Sequence, residues 1–154
     1  MLAAGASTRY GGVKQRELLP AVLAALKESV VDEVVVVEGA HSLHVPGTRV
    51  VRCEAWADGP GASLRCGLAA LDAGVTRAVV VLADGPDLDP RAVDRLAAST
   101  APVAAASYDG SRSHPVALDR SVWGSIPDDG GRSLDAELVD CFDLRPPGDR
   151  DVRR

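Results

Sequence analysis

The first 14 residues contain a loop whose residue types suit the binding of a polyphosphate. Residues 2–14 combine small side chains with three glycines and two basic residues, Arg9 and Lys14. Small side chains let the backbone approach a ligand closely, and glycine permits the positive φ angles that direct several N–H groups at one anion. Arg9 can hold two phosphate oxygens with its planar guanidinium, while Lys14 supplies a compact positive charge. The sequence therefore predicts a phosphate-binding loop, whose first residues are Leu2, Ala3, Ala4, Gly5, Ala6 and Ser7.

Two better-known phosphate-binding loops do not fit this stretch. A Walker A loop needs Gly-Lys-Ser or Gly-Lys-Thr, whereas Lys14 lies between Val13 and Gln15. The dinucleotide fingerprint G-x-G-x-x-G is interrupted directly after Gly5. An ordinary surface loop that carries two cations is the alternative interpretation of these residues.

A carboxylate in the middle of the chain is the candidate metal ligand. Residues 77–82 form an apolar run that predicts a buried strand, and Asp84 follows this run. A carboxylate beyond the carboxyl end of a parallel strand faces the ligand crevice, and Mg²⁺ prefers one or two carboxylates together with phosphate oxygens. Asp84 is therefore predicted to bind Mg²⁺, and the alternative is that it only caps the turn before Pro86.

Other chemistry-bearing residues form no recognisable constellation. His41 and His44 are separated by two residues, and no cysteine or acidic partner completes a zinc site. Ser7 lacks the G-x-S-x-G context of a serine hydrolase. Trp56 lies in a polar loop, where it could stack on a ligand or pack on the edge of the domain.

Strand and helix patterns alternate through most of the chain. Helices are predicted over residues 18–28, with Pro20 in the first turn, over 63–73, with Ser63 as N-cap, and over 90–98, with Asp89 as N-cap. Strands are predicted at residues 34–37, 48–53, 77–82, 103–107 and 114–118, with a hairpin turn at Asp109-Gly110. Short helices near residues 120–125 and 133–139 and a strand near Phe142 follow. This order predicts one domain over residues 1–154, a three-layer α/β/α fold with a mostly parallel sheet.

Composition and charge exclude several classes of protein. The net charge of −5 argues against a nucleic-acid partner, because nucleic-acid-binding proteins usually present a basic surface. No apolar run approaches the roughly 18 residues of a membrane span, and no signal peptide precedes the first loop. Cys53, Cys66 and Cys141 are odd in number and widely spaced, which predicts buried thiols in a reducing cytosol. The expected location is therefore the cytoplasm.

The motif L-A-A-G-x-S-x-R-x-G-x-x-K in residues 2–14 resembles the signature of the MobA-like NTP transferases. Within that family it is most similar to the molybdenum cofactor cytidylyltransferases, which share the opening Ala3-Ala4-Gly5. Four further segments resemble family motifs in the same order along the chain, at residues 61–68, 82–86, 113–116 and 129–134.

The resemblance implies a Rossmann-like fold of the nucleotide-diphospho-sugar transferase type and the transfer of CMP from CTP. The implied acceptor is the terminal phosphate of molybdopterin, and pyrophosphate is the second product. Arg9 and Lys14 would neutralise the β- and γ-phosphates, and Asp84 would bind Mg²⁺. Ser63 would lie beside the nucleotide and His114 near the acceptor. A molybdenum hydroxylase is the implied partner enzyme.

The chain departs from the family pattern at three places. Only Met1 precedes the motif, the family's L-L-x-x-x-G-x-P-L-L stretch does not follow Lys14, and residues 149–152 are the nearest match to D-x-D-T-P. We therefore expect parts of these segments to be missing from the printed sequence, and Asp151 is the candidate second metal ligand. Three alternatives remain: GTP as donor, a sugar or polyol phosphate as acceptor, or a non-catalytic protein that binds the molybdenum cofactor during enzyme maturation.

Overall fold

The structure, a computed structural model, describes residues 1–6 and 13–148. Its helices are α1 (Lys14–Lys27), α2 (Pro60–Ala69) and α3 (Pro90–Ala98), with two 3₁₀ helices at Trp56–Asp58 and Arg120–Ser125. Its strands are β1 (Leu2–Ala3), β2 (Val35–Glu38), β3 (Arg49–Arg52), β4 (Arg77–Val80), β5 (Val103–Ser107), β6 (Arg112–Asp119) and β7 (Glu137–Asp140). Among these described helices, none combines the length and the apolar character that crossing a membrane requires.

The strands form two groups that join at Leu2. In the first group β1, β2 and β3 pair in parallel, and in the second β6 runs antiparallel to both β4 and β5, while β5 and β7 are parallel. Leu2 N donates to Val81 O at 2.9 Å and Ala83 N donates to Leu2 O at 3.1 Å, which links β1 to the end of β4. The described strands thus have the order β3-β2-β1-β4-β6-β5-β7, and β6 alone among them runs against the others. The predicted α/β fold with a mostly parallel sheet is confirmed.

Alternation along β5 shows that helices cover both faces of the sheet. Val103 and Ala105 belong to a cluster with Leu64 of α2, whereas Ala104 and Ala106 pack with α3. Helix α1 lies on the same side as α3, because its buried residues share a cluster with those of α3. The small side chains of β5 are fully buried at their even positions, so helix α3 can approach the sheet closely.

Two predicted helix starts were wrong. Helix α1 begins at Lys14 rather than at residue 18, so Pro20 is its seventh residue and not part of its first turn. Pro20 and Arg16 are both exposed, which lets water satisfy the Arg16 carbonyl that Pro20 cannot bond. Helix α2 begins at Pro60 after Gly59, whose φ of 114° suits glycine, so Ser63 is a buried helical residue instead of an N-cap.

The helix predicted at residues 133–139 and the strand predicted near Phe142 were also wrong. Strand β7 occupies Glu137–Asp140 and pairs in parallel with β5, with Leu138 opposite Ala105. The edge of β5 offers unpaired backbone groups, and satisfying them outweighs a local helical preference. Phe142 lies beyond this strand with 59% of its surface exposed.

Two of the three cysteines are not thiols, in contrast to the prediction. Cys53 follows β3 and Cys66 lies in α2, and the two form a disulfide across a Cα–Cα distance of 5.8 Å. Their contact depends on how α2 packs against β3, which the spacing of the cysteines in the sequence does not reveal. Cys141 is a buried free thiol, as predicted.

Candidate functional site

The chemistry-bearing residues converge on the edge of the sheet where β1, β2 and β4 end. Residues 4–6 follow β1, residues 39–41 follow β2, and Asp84 lies shortly after β4. The carboxyl ends of parallel strands meet at one edge, so residues far apart in the sequence become neighbours. This edge is where the sequence predicted the ligand.

Three consecutive carbonyl groups at the start of the predicted loop already have hydrogen-bond donors. Ala40 N donates to Ala4 O at 3.1 Å, Gln15 Nε2 donates to Gly5 O at 2.8 Å, and His41 Nε2 donates to Ala6 O at 2.9 Å. The N–H groups of residues 4–6, by contrast, have no acceptor within residues 1–6 and 13–148. A backbone whose oxygens are occupied and whose N–H groups remain available is suited to bind an anion.

The two described residues predicted to carry charge at the site form an ion pair. Lys14 Nζ lies 2.8 Å from Asp84 Oδ2, although 70 positions separate them in the sequence. The Lys14 side chain is only 8% exposed, and that of Asp84 is 25% exposed. Because Lys14 is the first residue of α1 and Asp84 follows β4, the fold brings a cation and a carboxylate together beside the open N–H groups.

The remaining predicted residues have different positions. The N–H of Leu2 bonds within the sheet, and Ala3 pairs with β2, so both residues fix the direction of the segment that follows. Ser63 is buried in α2. Ser7, Arg9 and Asp151 lie outside the described residues, and their roles stay predictions.

His114 lies in β6 at the wall of two cavities. Burial lowers its pKa, and the positive charges of Arg112 and Arg132 lower it further, while Asp84 acts in the opposite direction. The imidazole is therefore neutral at neutral pH. Of its two cavities, the one of about 320 Å³ is also lined by Asp84, Gly85 and residues 146–148.

The second cavity combines an apolar wall with a basic rim. It measures about 300 Å³, and Leu64, Val80 and Val116 contribute its apolar wall. The loop of residues 130–134 borders this cavity, and Arg112 of β6 holds it in place, since the Arg112 guanidinium donates to the carbonyls of residues 131 and 134. Arg132 also lines this cavity, and its guanidinium has no hydrogen bond or ion pair within the described part of the chain. Arg132 lies in residues 129–134, which resemble a family motif, but the sequence assigned this arginine no role.

The donor set at this edge fits a cation that arrives with a phosphate ligand. Within residues 1–6 and 13–148 no three His, Cys, Asp or Glu side chains are grouped as metal ligands. Asp84 supplies a single carboxylate, and Mg²⁺ commonly binds through one or two carboxylates, substrate phosphates and water. The residues are thus compatible with a nucleotide-bound divalent cation rather than with a metal held by protein ligands alone.

A third cavity, of about 310 Å³, lies at the opposite end of the strands. It is lined mainly by apolar residues, including Val34 and Val35 of the β2 segment and Ala78 and Val79 of β4. Its charged lining residues are Asp32, Glu33 and Arg77, and the Arg77 guanidinium donates to the carbonyls of Leu96 and Ala101.

Comparison with known proteins identifies the family and the fold that this chain shares. The family model described as MobA-like NTP transferase domain matches residues 1–139. A crystal structure of the homolog of Mycobacterium tuberculosis Rv0371c from Mycobacterium sp. strain JC1 has a TM-score of 0.80 at 24% identity, covering 99% of this chain and 88% of that one. No curated protein matches the sequence.

Two further solved structures share the fold. The Rv0371c protein of Mycobacterium tuberculosis H37Rv, in complex with manganese, has a TM-score of 0.75 at 23% identity, covering 90% of this chain and 84% of that one. A nucleotidyl transferase from Methanothermobacter has a TM-score of 0.66 at 23% identity, covering 80% of this chain and 71% of that one.

Proposed function

Because the chain belongs to the MobA-like NTP transferase domain family, we propose that it transfers CMP from CTP to a phosphorylated acceptor and releases pyrophosphate. Family membership supports the reaction class, nucleotidyl transfer from an NTP. The choice of CTP rests on Ala3-Ala4-Gly5, which resembles the cytidylyltransferase branch. The acceptor that this resemblance implies is the terminal phosphate of molybdopterin, with a molybdenum hydroxylase as the later recipient in the cytoplasm.

The observation that carries the proposal is the combination of open N–H groups with the Lys14–Asp84 pair. The N–H groups of residues 4–6 and Lys14 can bind phosphate oxygens, while Asp84 is available for the cation that accompanies an NTP. When a triphosphate arrives, Lys14 exchanges the Asp84 carboxylate for phosphate oxygens. Lys14 then balances negative charge on the triphosphate, and the cation balances the charge of the Asp84 carboxylate.

In this reaction the protein residues stabilise the negative charge of the phosphates and align the acceptor phosphate with the α-phosphorus of CTP. An oxygen of the acceptor phosphate forms a bond to the α-phosphorus of CTP, the bond from that phosphorus to the bridging oxygen breaks, and pyrophosphate leaves with the electron pair. Arg9 and Lys14 neutralise the β- and γ-phosphates, and Ala4 to Ser7 hold the nucleotide through their N–H groups beside Ser63. No protein nucleophile is needed, because the acceptor phosphate is ionised at neutral pH.

Asp84 and Asp151 are the residues that would hold Mg²⁺. A divalent cation there would supply Lewis-acid polarisation of the α-phosphate and charge compensation for the leaving pyrophosphate. Asp87 N, in the turn that follows Asp84, donates to Pro147 O at 2.9 Å. Asp151 itself lies outside the described residues, and its part in binding the cation is carried by the family resemblance.

The cavity with Arg132 on its rim is the proposed acceptor site. It shares His114 with the cavity that Asp84 lines, so an acceptor bound there can reach the nucleotide. The guanidinium of Arg132, which has no side-chain partner within residues 1–6 and 13–148, suits an anionic group. The neutral His114 can donate one hydrogen bond without repelling Arg132. The apolar wall suits a flat organic body such as a pterin.

Thermal unfolding with each of CTP, GTP, ATP and UTP, with and without Mg²⁺, tests the proposal. A ligand at about 100 times its Kd adds about 2.7 kcal/mol of stability, which raises Tm by several degrees. We expect the largest shift with CTP and Mg²⁺. A larger shift with GTP would identify GTP as the donor and guanylyl transfer as the reaction. No shift with any of the four nucleotides would contradict an NTP site. Pyrophosphate release with molybdopterin, sugar phosphates or polyol phosphates then identifies the acceptor, and binding without turnover would favour a cofactor-binding maturation protein.

A further inference from the structure

We propose that His41 and Gln15 are positioning residues of the nucleotide site, which hold two loop carbonyls away from the phosphates. This inference rests on the proposed function and concerns two residues that the reaction itself does not use. His41 lies three residues beyond β2, and Gln15 is the second residue of α1. Their side chains reach the same short segment, residues 5–6, from two different elements of the fold.

Each contact has a defined direction. His41 Nε2 lies 2.9 Å from Ala6 O, and a carbonyl oxygen only accepts, so Nε2 must carry the hydrogen. Gln15 Nε2 donates to Gly5 O at 2.8 Å, and only 4% of the surface of Gln15 is exposed. A buried donor with an occupied acceptor keeps its geometry, because breaking the bond would leave polar groups unsatisfied.

Peptide planarity converts these contacts into control of the N–H groups. In a trans peptide the carbonyl and the N–H point in opposite directions, so fixing Gly5 O toward Gln15 turns the N–H of Ala6 away from Gln15. Ala40 N holds Ala4 O in the same way through a backbone contact. Three successive carbonyl groups are thus held in place, two of them by side chains that a substitution can remove.

The electrostatic consequence concerns the bound nucleotide. A carbonyl oxygen carries partial negative charge, and a free peptide group near a triphosphate could turn this oxygen toward the phosphates. His41 and Gln15 bond the oxygens and so keep the N–H groups available without reorganisation when the nucleotide binds. Neither residue has to touch the ligand for this effect.

The test compares nucleotide affinity with the stability of the nucleotide-free protein. His41→Phe keeps a ring but removes the donor, Gln15→Met keeps the shape but removes the amide, and His41→Gln restores an N–H at similar reach. His44→Phe is the matched control, because His44 is exposed three residues further along the same loop. Calorimetric titration with Mg·CTP gives Kd for each protein, and thermal unfolding without nucleotide gives Tm.

We expect His41→Phe and Gln15→Met each to raise Kd about tenfold, the effect of losing one net hydrogen bond. The Kd of His41→Gln should stay within about threefold of the wild-type value, and the Kd of His44→Phe should equal it. The Tm of His41→Gln without nucleotide should equal that of the wild type. Wild-type affinity in both His41→Phe and Gln15→Met would overturn the inference and leave the proposed function standing. Absence of NTP binding by the wild type would overturn the proposed function itself. If His41→Gln lost as much affinity for Mg·CTP as His41→Phe, hydrogen-bond donation at position 41 would not be the cause of the lower affinity.

Discussion

Replacing Asp84 by Asn is expected to lower the rate of nucleotidyl transfer at least about a hundredfold. Asn keeps the shape of the side chain but removes the negative charge that would hold the divalent cation, and losing such a preorganised electrostatic contact costs about 10²–10³ in kcat. Asp84 is 25% exposed, so the substituted amide can be solvated and the fold should persist. Initial rates of pyrophosphate release at saturating CTP measure the effect.

Asp135→Asn provides the matched control, because Asp135 is an exposed carboxylate outside the site. Its kcat should equal that of the wild type. An Asp84→Asn protein that keeps more than about half of the wild-type rate, with an unchanged Tm, would contradict the assignment of Asp84 as the metal ligand.

Replacing Lys14 by Met should change the affinities for nucleotide and for metal in opposite directions. Lys14 is proposed to bind the triphosphate, and a charged hydrogen bond contributes about 1.5–3 kcal/mol, so Kd for CTP should rise about tenfold to a hundredfold. Without nucleotide, Lys14 Nζ lies 2.8 Å from Asp84 and competes with a cation for its carboxylate. Mn²⁺ should therefore bind Lys14→Met more tightly than the wild type in the absence of CTP.

Calorimetry with CTP and electron paramagnetic resonance of free Mn²⁺ measure these two affinities. Lys27→Met is the control, because Lys27 ends the same helix at an exposed position remote from Asp84. A variant at Lys14 that loses affinity for both CTP and Mn²⁺ would show that the ion pair supports metal binding instead of competing with it.

The elements that could be predicted from the sequence are those whose cause is local. Asp89 before Pro90 indicated a helix start, and in the structure Asp89 Oδ1 accepts a hydrogen bond from Arg91 N at 2.9 Å. The turn Asp109-Gly110 indicated a hairpin, and β5 and β6 pair on either side of it, with φ of 93° at Gly110. In both cases the residues that signal the structure also make the contact.

The elements that could not be predicted depend on a distant partner. Strand β7 forms because the edge of β5 is available to residues 137–140, and their own pattern equally allowed a helix. The disulfide between Cys53 and Cys66 depends in the same way on the packing of α2. A single sequence does not contain these relative positions.

The residues of the candidate site also differ in whether the sequence could predict them. Lys14 and Asp84 could be predicted because their types suit phosphate and metal and because parallel strands end at one edge. His41 and Gln15 were missed as site residues, since they act on backbone carbonyls and leave no characteristic spacing in the sequence. The one sequence signal that could have identified His41 is its place just after the carboxyl end of a predicted strand, at the edge where Lys14 and Asp84 were expected.

Transfer of label from CTP tests the central claim most directly. The protein is incubated with Mg²⁺, molybdopterin and CTP that carries ³²P at either the α or the γ position, and the products are separated. We expect α-label to appear in a product that contains the acceptor, with one pyrophosphate released for each labelled molecule, and γ-label to appear only in pyrophosphate. Failure of α-label to enter any acceptor product, with each of the four NTPs and with sugar and polyol phosphates as well, would contradict nucleotidyl transfer by this chain.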